Sequence, residues 1–369
     1  MAVGTLVVYL ILAAAGIAAT GAALRVCWYL HGCWKIRRAG QRPLLAIRHR
    51  IWREPAAADL EDLRYGPGGP ELVPVPPFRF VEEHFAGSQP CVAVRDGRNR
   101  LWRVKWGGEA RPESFAVRLA FALGYFAEVT HYVTHGRIEG ADGLRRARDQ
   151  VADDGTFRDG RFELEDRTVR MLFNEHSWQW HDNPFLGTPQ LSGLKIVVML
   201  LSNWDTKDRR DVSRGSNTAV FEVPVSPRER EARYLITDWG GAMGKWGTNV
   251  VSRGRWDPEG FEQQTAQFVT GVADGFVSFG YQGQRTAEIA RGITVGDAAW
   301  FYGYARRLRE PALCQGLLAC GATGEEAARF ARAIRERIDQ IGRAVLGSGV
   351  RPNDSEPETR MINARSGTR

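Results

Sequence analysis

The sequence predicts an α+β chain of two lobes behind an N-terminal transmembrane helix. The first lobe is small and β-rich with one helix; the second is larger and mostly helical. Three observations predict this. Residues 3–24, "VGTLVVYLILAAAGIAATGAAL", are 22 residues without a charge, enough at about 1.5 Å per residue to span a bilayer core of about 30 Å. Short strand-like runs crowd residues 78–140. Helical patterns dominate residues 141–347.

Residues 1–25 read as a membrane anchor rather than a cleaved signal peptide. The segment before the apolar run has no Lys or Arg, and the run is long for a signal. Residues 26–53 are a basic juxtamembrane segment, with Trp28, Tyr29 and Trp34 suited to the lipid–water boundary. Residues 1–53 hold eight Lys or Arg and no Asp or Glu. Such a flank favours anionic lipid headgroups and a cytoplasmic body; export after signal cleavage is the alternative. The whole chain carries +7, and removing those eight charges leaves −1 for residues 54–369. Nucleic acid is therefore not expected as a partner. Five cysteines without a CxxC pair signal neither zinc nor a disulfide framework.

Residues 54–77, rich in Pro and Gly, read as a linker. The small lobe, 78–140, opens with "FRFVEEHFAG", a strand into a turn. "CVAVRD" and "LWRVKW" are two strands joined by "GRN". Pro112 opens the helix "PESFAVRLAFALGY", whose Phe115, Leu119, Ala122 and Leu123 share a face, and Gly124 closes it. "YFAEVTHYVTHGRIEG" is a further strand. In the larger lobe, 141–347, "ADGLRRARDQV" is helix-like and "PQLSGLKIVVMLLSNW" is the strongest buried helix. "NTAVFEV" and "ARYLITDW" read as paired strands. "DPEGFEQQTAQFVTGVADGF", "VGDAAWFYGYARRL" and "GEEAARFARAIRERIDQIGRAVLG" read as helices. The polar tail, 348–369, reads as disordered.

The chemistry lies at element ends. Phosphoryl transfer needs a cation on the nucleotide phosphates, a carboxylate facing the acceptor, and oxygen ligands for magnesium. Lys105 ends "LWRVK", where alternation sets Leu101, Arg103 and Lys105 on one face and Trp102, Val104 and Trp106 on the other. Glu113 lies in the first turn of the next helix, as a partner for Lys105 or as a helix-dipole residue. Asp205 and Lys207 follow the buried helix in "NWDTKD". Asn217 and Asp238 belong to the two paired strands, a reasonable setting for a shared cation. Gly240 and Gly241 give the turn after Asp238 its backbone freedom.

In this order, these features resemble the protein-kinase-like superfamily, in particular its atypical HipA-like members. "GSQP" (Gly87–Pro90) resembles their phosphate loop, "RVKWGGEARPESFAVRLAFALGY" their strand-Lys and helix-Glu segment, "NWDTKD" their catalytic loop, and "TDWGG" their metal-binding motif. The resemblance covers roughly residues 78–245. It implies a bilobal fold that uses ATP and magnesium on a hydroxyl acceptor, a protein Ser/Thr or a small molecule, with adenylyl transfer as a variant. It implies nucleotide binding by Gly87, Ser88, Gln89, Lys105 and Glu113. Asp205 and Lys207 would be catalytic, and Asn217 and Asp238 would hold the metal, with Asp208 or Asp211 as substitutes. Two positions depart from the pattern. Cys91 stands where the phosphate-loop lysine would be, and Arg210 where the metal-binding Asn usually falls, so "RRDVSRGS" reads as an insertion before Asn217. These departures support an alternative function, a catalytically inactive pseudokinase scaffold at the membrane. His176, His181 and Asp182, beside Trp178 and Trp180, read as packing residues rather than a metal cluster, and "GKW" at 244–246 fails the Walker pattern.

Overall fold

Alternation in "CVAVR" and "LWRVK" is borne by a closed barrel, not by an isolated hairpin. A computed structural model describes residues 48–350, apart from residues 86, 88, 173–176, 228 and 250. Strand β1 is Arg48–Arg50 and helix α1 is Ala57–Glu61. Strands β2 (Phe78–His84), β3 (Cys91–Arg95) and β4 (Leu101–Lys105) precede helix α2 (Ala110–Ala122). After β5 (Thr130–Glu139) and β6 (Thr156–Leu164), the barrel closes in the order β2-β3-β4-β6-β5. Trp102, Val104 and Phe162 fill its interior, while Arg103 and Lys105 lie on the other face.

The larger part begins with β7 (Arg170–Leu172) and α3 (Pro189–Leu200). Thr188 caps α3, its Oγ1 accepting the Leu191 N–H at 3.3 Å, with Pro189 at the first helical position. Strands β8 (Thr218–Ser226) and β9 (Glu229–Ile236) form the expected antiparallel pair. Then come α4 (Pro258–Thr265), β10 (Val269–Ala273), β11 (Phe276–Phe279) and α5 (Thr286–Ile289). The chain closes with α6 (Val295–Ala305), α7 (Glu310–Leu318) and α8 (Gly324–Gly347). Of the expected disordered tail, 348–369, residues 351–369 lie outside the described residues.

The fold class is α+β but needs correction on two counts. First, the expected transmembrane helix is no part of the described fold. No helix among the described residues is long and apolar enough to cross a membrane, and residues 3–24 lie outside them. The apolar helix α3 has only 12 residues, while the 24-residue α8 is amphipathic and studded with Arg and Glu. Second, the two-lobe division at residue 140 cuts through the barrel, because β6 completes it. The polar "DDGTFRDGRFELED" hides a strand whose Phe157 and Phe162 point inward. Helix α2, assigned to the small lobe, also buries Phe115, Leu119 and Ala120 in the large core with Leu194 and Val198.

Three local expectations change as well. Residues 54–77 are not a free linker. Ile51, Leu60 and Leu63 are buried in the large core, β1 pairs in parallel with β9, and Trp52 Nε1 donates to Leu123 O at 2.8 Å. "ADGLRRARDQV" is not helical. The Glu83 carboxylate accepts the backbone N–H groups of Arg145, Arg146 and Ala147 at 2.9, 2.7 and 2.8 Å, holding the segment as turns. The expected helix from Asp257 stops at Thr265, and β10 and β11 follow as a hairpin. That hairpin turns at Asp274–Gly275, both with positive φ, the backbone a tight Asp-Gly hairpin turn requires.

Candidate active site

Helix α3 delivers a rigid loop. Ser202, at φ +55°, turns the chain out of the helix, and Arg337 secures that end from below. Its buried guanidinium donates to Leu200 O (2.9 Å), Ser202 Oγ (2.8 Å) and Phe261 O (2.9 Å) and stacks on the Phe261 ring at 3.6 Å. A cation there also suits the negative end of the helix dipole. Asn203, fully buried, comes next. Its Oδ1 accepts the Asp205 N–H at 3.3 Å, and its Nδ2 donates to Asp238 O at 3.5 Å. One amide side chain thus ties the two carboxylate loops together.

Asp205 sits at the centre of this arrangement. Its Oδ2 lies 3.2 Å from Lys207 Nζ, and its Oδ1 is buried without a hydrogen-bond partner among the described residues. Burial pushes the Asp205 carboxyl up; Lys207 opposes this, and the nearby Asp238 adds to it. Asn217 Nδ2 donates to Asp205 O at 2.8 Å, and its backbone N–H donates to Lys207 O at 3.1 Å. The insertion "RRDVSRGS" is largely a 3₁₀ turn, Arg209–Arg214, after which the chain returns Asn217 to the Asp205 loop. Asp238 closes its own turn, Oδ1 accepting the Gly240 N–H at 2.9 Å. Close approach, not a positive φ, explains the glycines here. A Cβ on Gly240 would meet Glu109 Cγ at 2.7 Å, and one on Gly241 would meet Asn203 Oδ1 at 2.9 Å.

The substitutes Asp208 and Asp211 are already committed. Asp208, fully buried, accepts from Arg210 Nε at 2.9 Å, and Asp211 pairs with Arg285. Burial alone would raise the Asp208 carboxyl, but the Arg210 contacts outweigh it and hold it low. Arg210, standing where a metal-binding Asn was expected, bridges Asp208 and Glu288 instead.

Lys105 has a different partner from the one expected. Its Nζ is 3.5 Å from Glu163 Oε2, while Glu113 pairs with the buried Arg161. The barrel register explains the exchange, since β4 and β6 pair Lys105 opposite Arg161 and Arg103 opposite Glu163. Burial, with Arg161 and Arg103 nearby, pulls the Lys105 ammonium down to about 8. Glu128 links the two sides of the cleft. Burial pushes its carboxyl up, Arg103 and Lys105 pull it down, and Asp238 adds to the rise.

The loop between β2 and β3 carries the remaining candidates. Gly87 has φ +92°, and its carbonyl accepts from Arg146 Nη2 at 3.0 Å. The Gln89 carboxamide lies against Gly107, where a Cβ would come within 2.5 Å of Gln89 Oε1. Ser88 lies outside the described residues. Cys91 is buried at the start of β3, directly opposite Lys105 in register, and burial raises its thiol.

The donor set suits a hard divalent cation that shares phosphate ligands. Asp205, Asp238 and Asn217 offer oxygen, and Asp205 Oδ1 is orphaned. No group of three His, Cys, Asp or Glu among the described residues is spaced to hold a metal by itself. Magnesium is commonly held by only one or two carboxylates plus substrate phosphates. Glu128, Arg161, Glu163 and Arg337 were not among the candidates the sequence offered. The alternation of Arg161 and Glu163 about Phe162 was a strand signal that could have found two of them. No family model, no curated protein and no solved structure matches the chain.

Proposed function

We propose that this cleft is the catalytic site of a kinase-like phosphotransferase moving the γ-phosphate of MgATP to a hydroxyl acceptor. The observation supporting this reading is that Asp205, Lys207 and Asn217 meet the Asp238 loop, with Lys105 beside Glu128, whose carboxyl also feels Asp238. Lys105 holds phosphate oxygens after leaving Glu163. Asp238 and Asn217 would hold magnesium, which would neutralise phosphate charge. Asp205 takes the acceptor proton as its oxygen bonds to phosphorus and the bond to the β-phosphate breaks, releasing ADP. A carboxyl raised toward neutrality is the better base for that step. Lys207 faces the transferred group.

The test is γ-³²P transfer by the full-length chain, read as self-labelling and as label on a mixed protein acceptor. Asp238→Ala is expected to abolish the label. Undiminished label in that variant contradicts the reading. The alternative is an inactive pseudokinase scaffold, favoured by the Lys105–Glu163 and Glu113–Arg161 pairing and by Cys91. A thermal shift with MgATP but no label in the wild type selects that alternative.

A further inference from the structure

A cavity of about 1420 Å³ opens past Lys105, between the start of α2, the outer ends of β5 and β6, and the loop before α4. Its volume exceeds the roughly 300–1,000 Å³ of an ordinary small-molecule site. Five arginines line it (Arg111, Arg137, Arg148, Arg158 and Arg255) against two acids, Asp149 and Asp159. Their commitments differ. Arg255 pairs with Glu109 at 2.6 Å, and Arg148 lies 3.6 Å from Asp149. Arg137 donates to the backbone carbonyl of Asp154 at 2.7 Å, with the Asp154 carboxylate nearby, and Arg111 donates to the Tyr132 hydroxyl at 3.3 Å, with Asp159 nearby. Arg158, opposite His135 in the β5–β6 register, has no partner among the described residues.

The cavity also has aromatic walls. Trp106 and Trp256 both line the cavity, and neither buried indole N–H has an acceptor among the described residues. Trp106 is only 2% exposed. Apolar side chains of a peptide would lie against the tryptophans, and acidic side chains would meet the arginines. A nucleic acid fits less well. Asp149 and Asp159 interrupt any phosphate track, and the body outside residues 1–53 is nearly neutral. Beyond residue 350 the chain's acids, Asp354, Glu356 and Glu358, stand between Arg351 and Arg360. Residues 1–47 hold no acid, and residues 351–369 hold four arginines against three acids.

We infer that this groove binds an acidic peptide segment of a partner protein. The inference goes beyond the phosphotransfer reading and does not depend on it. The test is fluorescence anisotropy of the full-length chain with a short labelled peptide alternating Glu and Leu, and with its Gln-for-Glu counterpart. The Glu peptide is expected to bind, more weakly as salt rises. The double variant Arg137→Glu/Arg158→Glu is expected to weaken binding at least about tenfold. Arg291→Glu, an exposed control, leaves it unchanged. Because a double reversal could unfold the barrel, circular dichroism accompanies it, and Arg158→Gln alone is expected to weaken binding measurably. Equal binding of the Glu and Gln peptides, or unchanged binding in both groove variants, overturns the inference. Displacement of the peptide by an oligonucleotide or by anionic phospholipid vesicles at lower concentration also overturns it.

Discussion

Asp205 and Asp208 stand three residues apart and meet opposite fates. Asp208 is fully buried and held low by Arg210 despite its burial, so it serves as a structural anion. Asp205 is raised and keeps one oxygen unpartnered, so it is available for chemistry. "NWDTKDRRD" alone does not distinguish them, because each has a cation two residues on, Lys207 or Arg210, while the further partner of Asp208, Arg285, lies far along the chain. Lys105 was legible from its place at the end of an alternating strand, but its partner was not. The choice of Glu163 over Glu113 follows from the register of β4 on β6, a pairing across about sixty residues. The two perturbed groups imply a pH profile. A raised Asp205 must lose its proton before it can act as base, so kcat/KM rises as pH climbs through its pKa. Lys105, lowered to about 8, loses its charge above that value, so kcat/KM falls again there. Stopped-assay profiles of the wild type and of Lys105→Arg check this. The variant's alkaline limb is expected to shift well above pH 8, since arginine stays charged.

At the scale of elements, helices with a strong apolar pattern and a cap were readable, as α3 with Thr188 and Pro189 shows. Strand β6 and the segment around α1 were not. Both are locally polar or rich in Gly and Pro, and their burial comes from partners elsewhere. Residues 48–63 act as a strap across α2. Arg53 N–H donates to Gly124 O at 2.9 Å, and the Arg53 guanidinium stacks on Phe121 at 4.0 Å. Leu63 packs so closely on α7 that a Cβ on Gly316 would meet its Cβ at 2.7 Å. Since α2 carries Glu113, the strap also fixes that end of the charge cluster. Leu63→Ala is expected to lower unfolding free energy by about 2–5 kcal/mol, the usual cost of emptying a buried leucine site. Urea denaturation measures this, and a loss below about 0.5 kcal/mol would mean that the segment is not integral.

At the scale of the whole molecule, the barrel and the helical part meet where Lys105 and Glu128 face Asp238. Sequence order had already placed Asp205, Asn217 and Asp238 at the ends of strong elements, and these are the residues that converge. What sequence could not supply was the closure of the barrel and the arginine-lined groove beside it, since both depend on strands pairing across the fold. The central claim is that these residues form one nucleotide-phosphate site. Isothermal titration calorimetry of MgATP into the full-length chain tests it most directly, with Lys105→Met and Asp238→Asn as folded comparisons. Magnesium-dependent binding is expected in the wild type, and its loss in both variants. Identical binding in all three proteins, or none in the wild type, would contradict it.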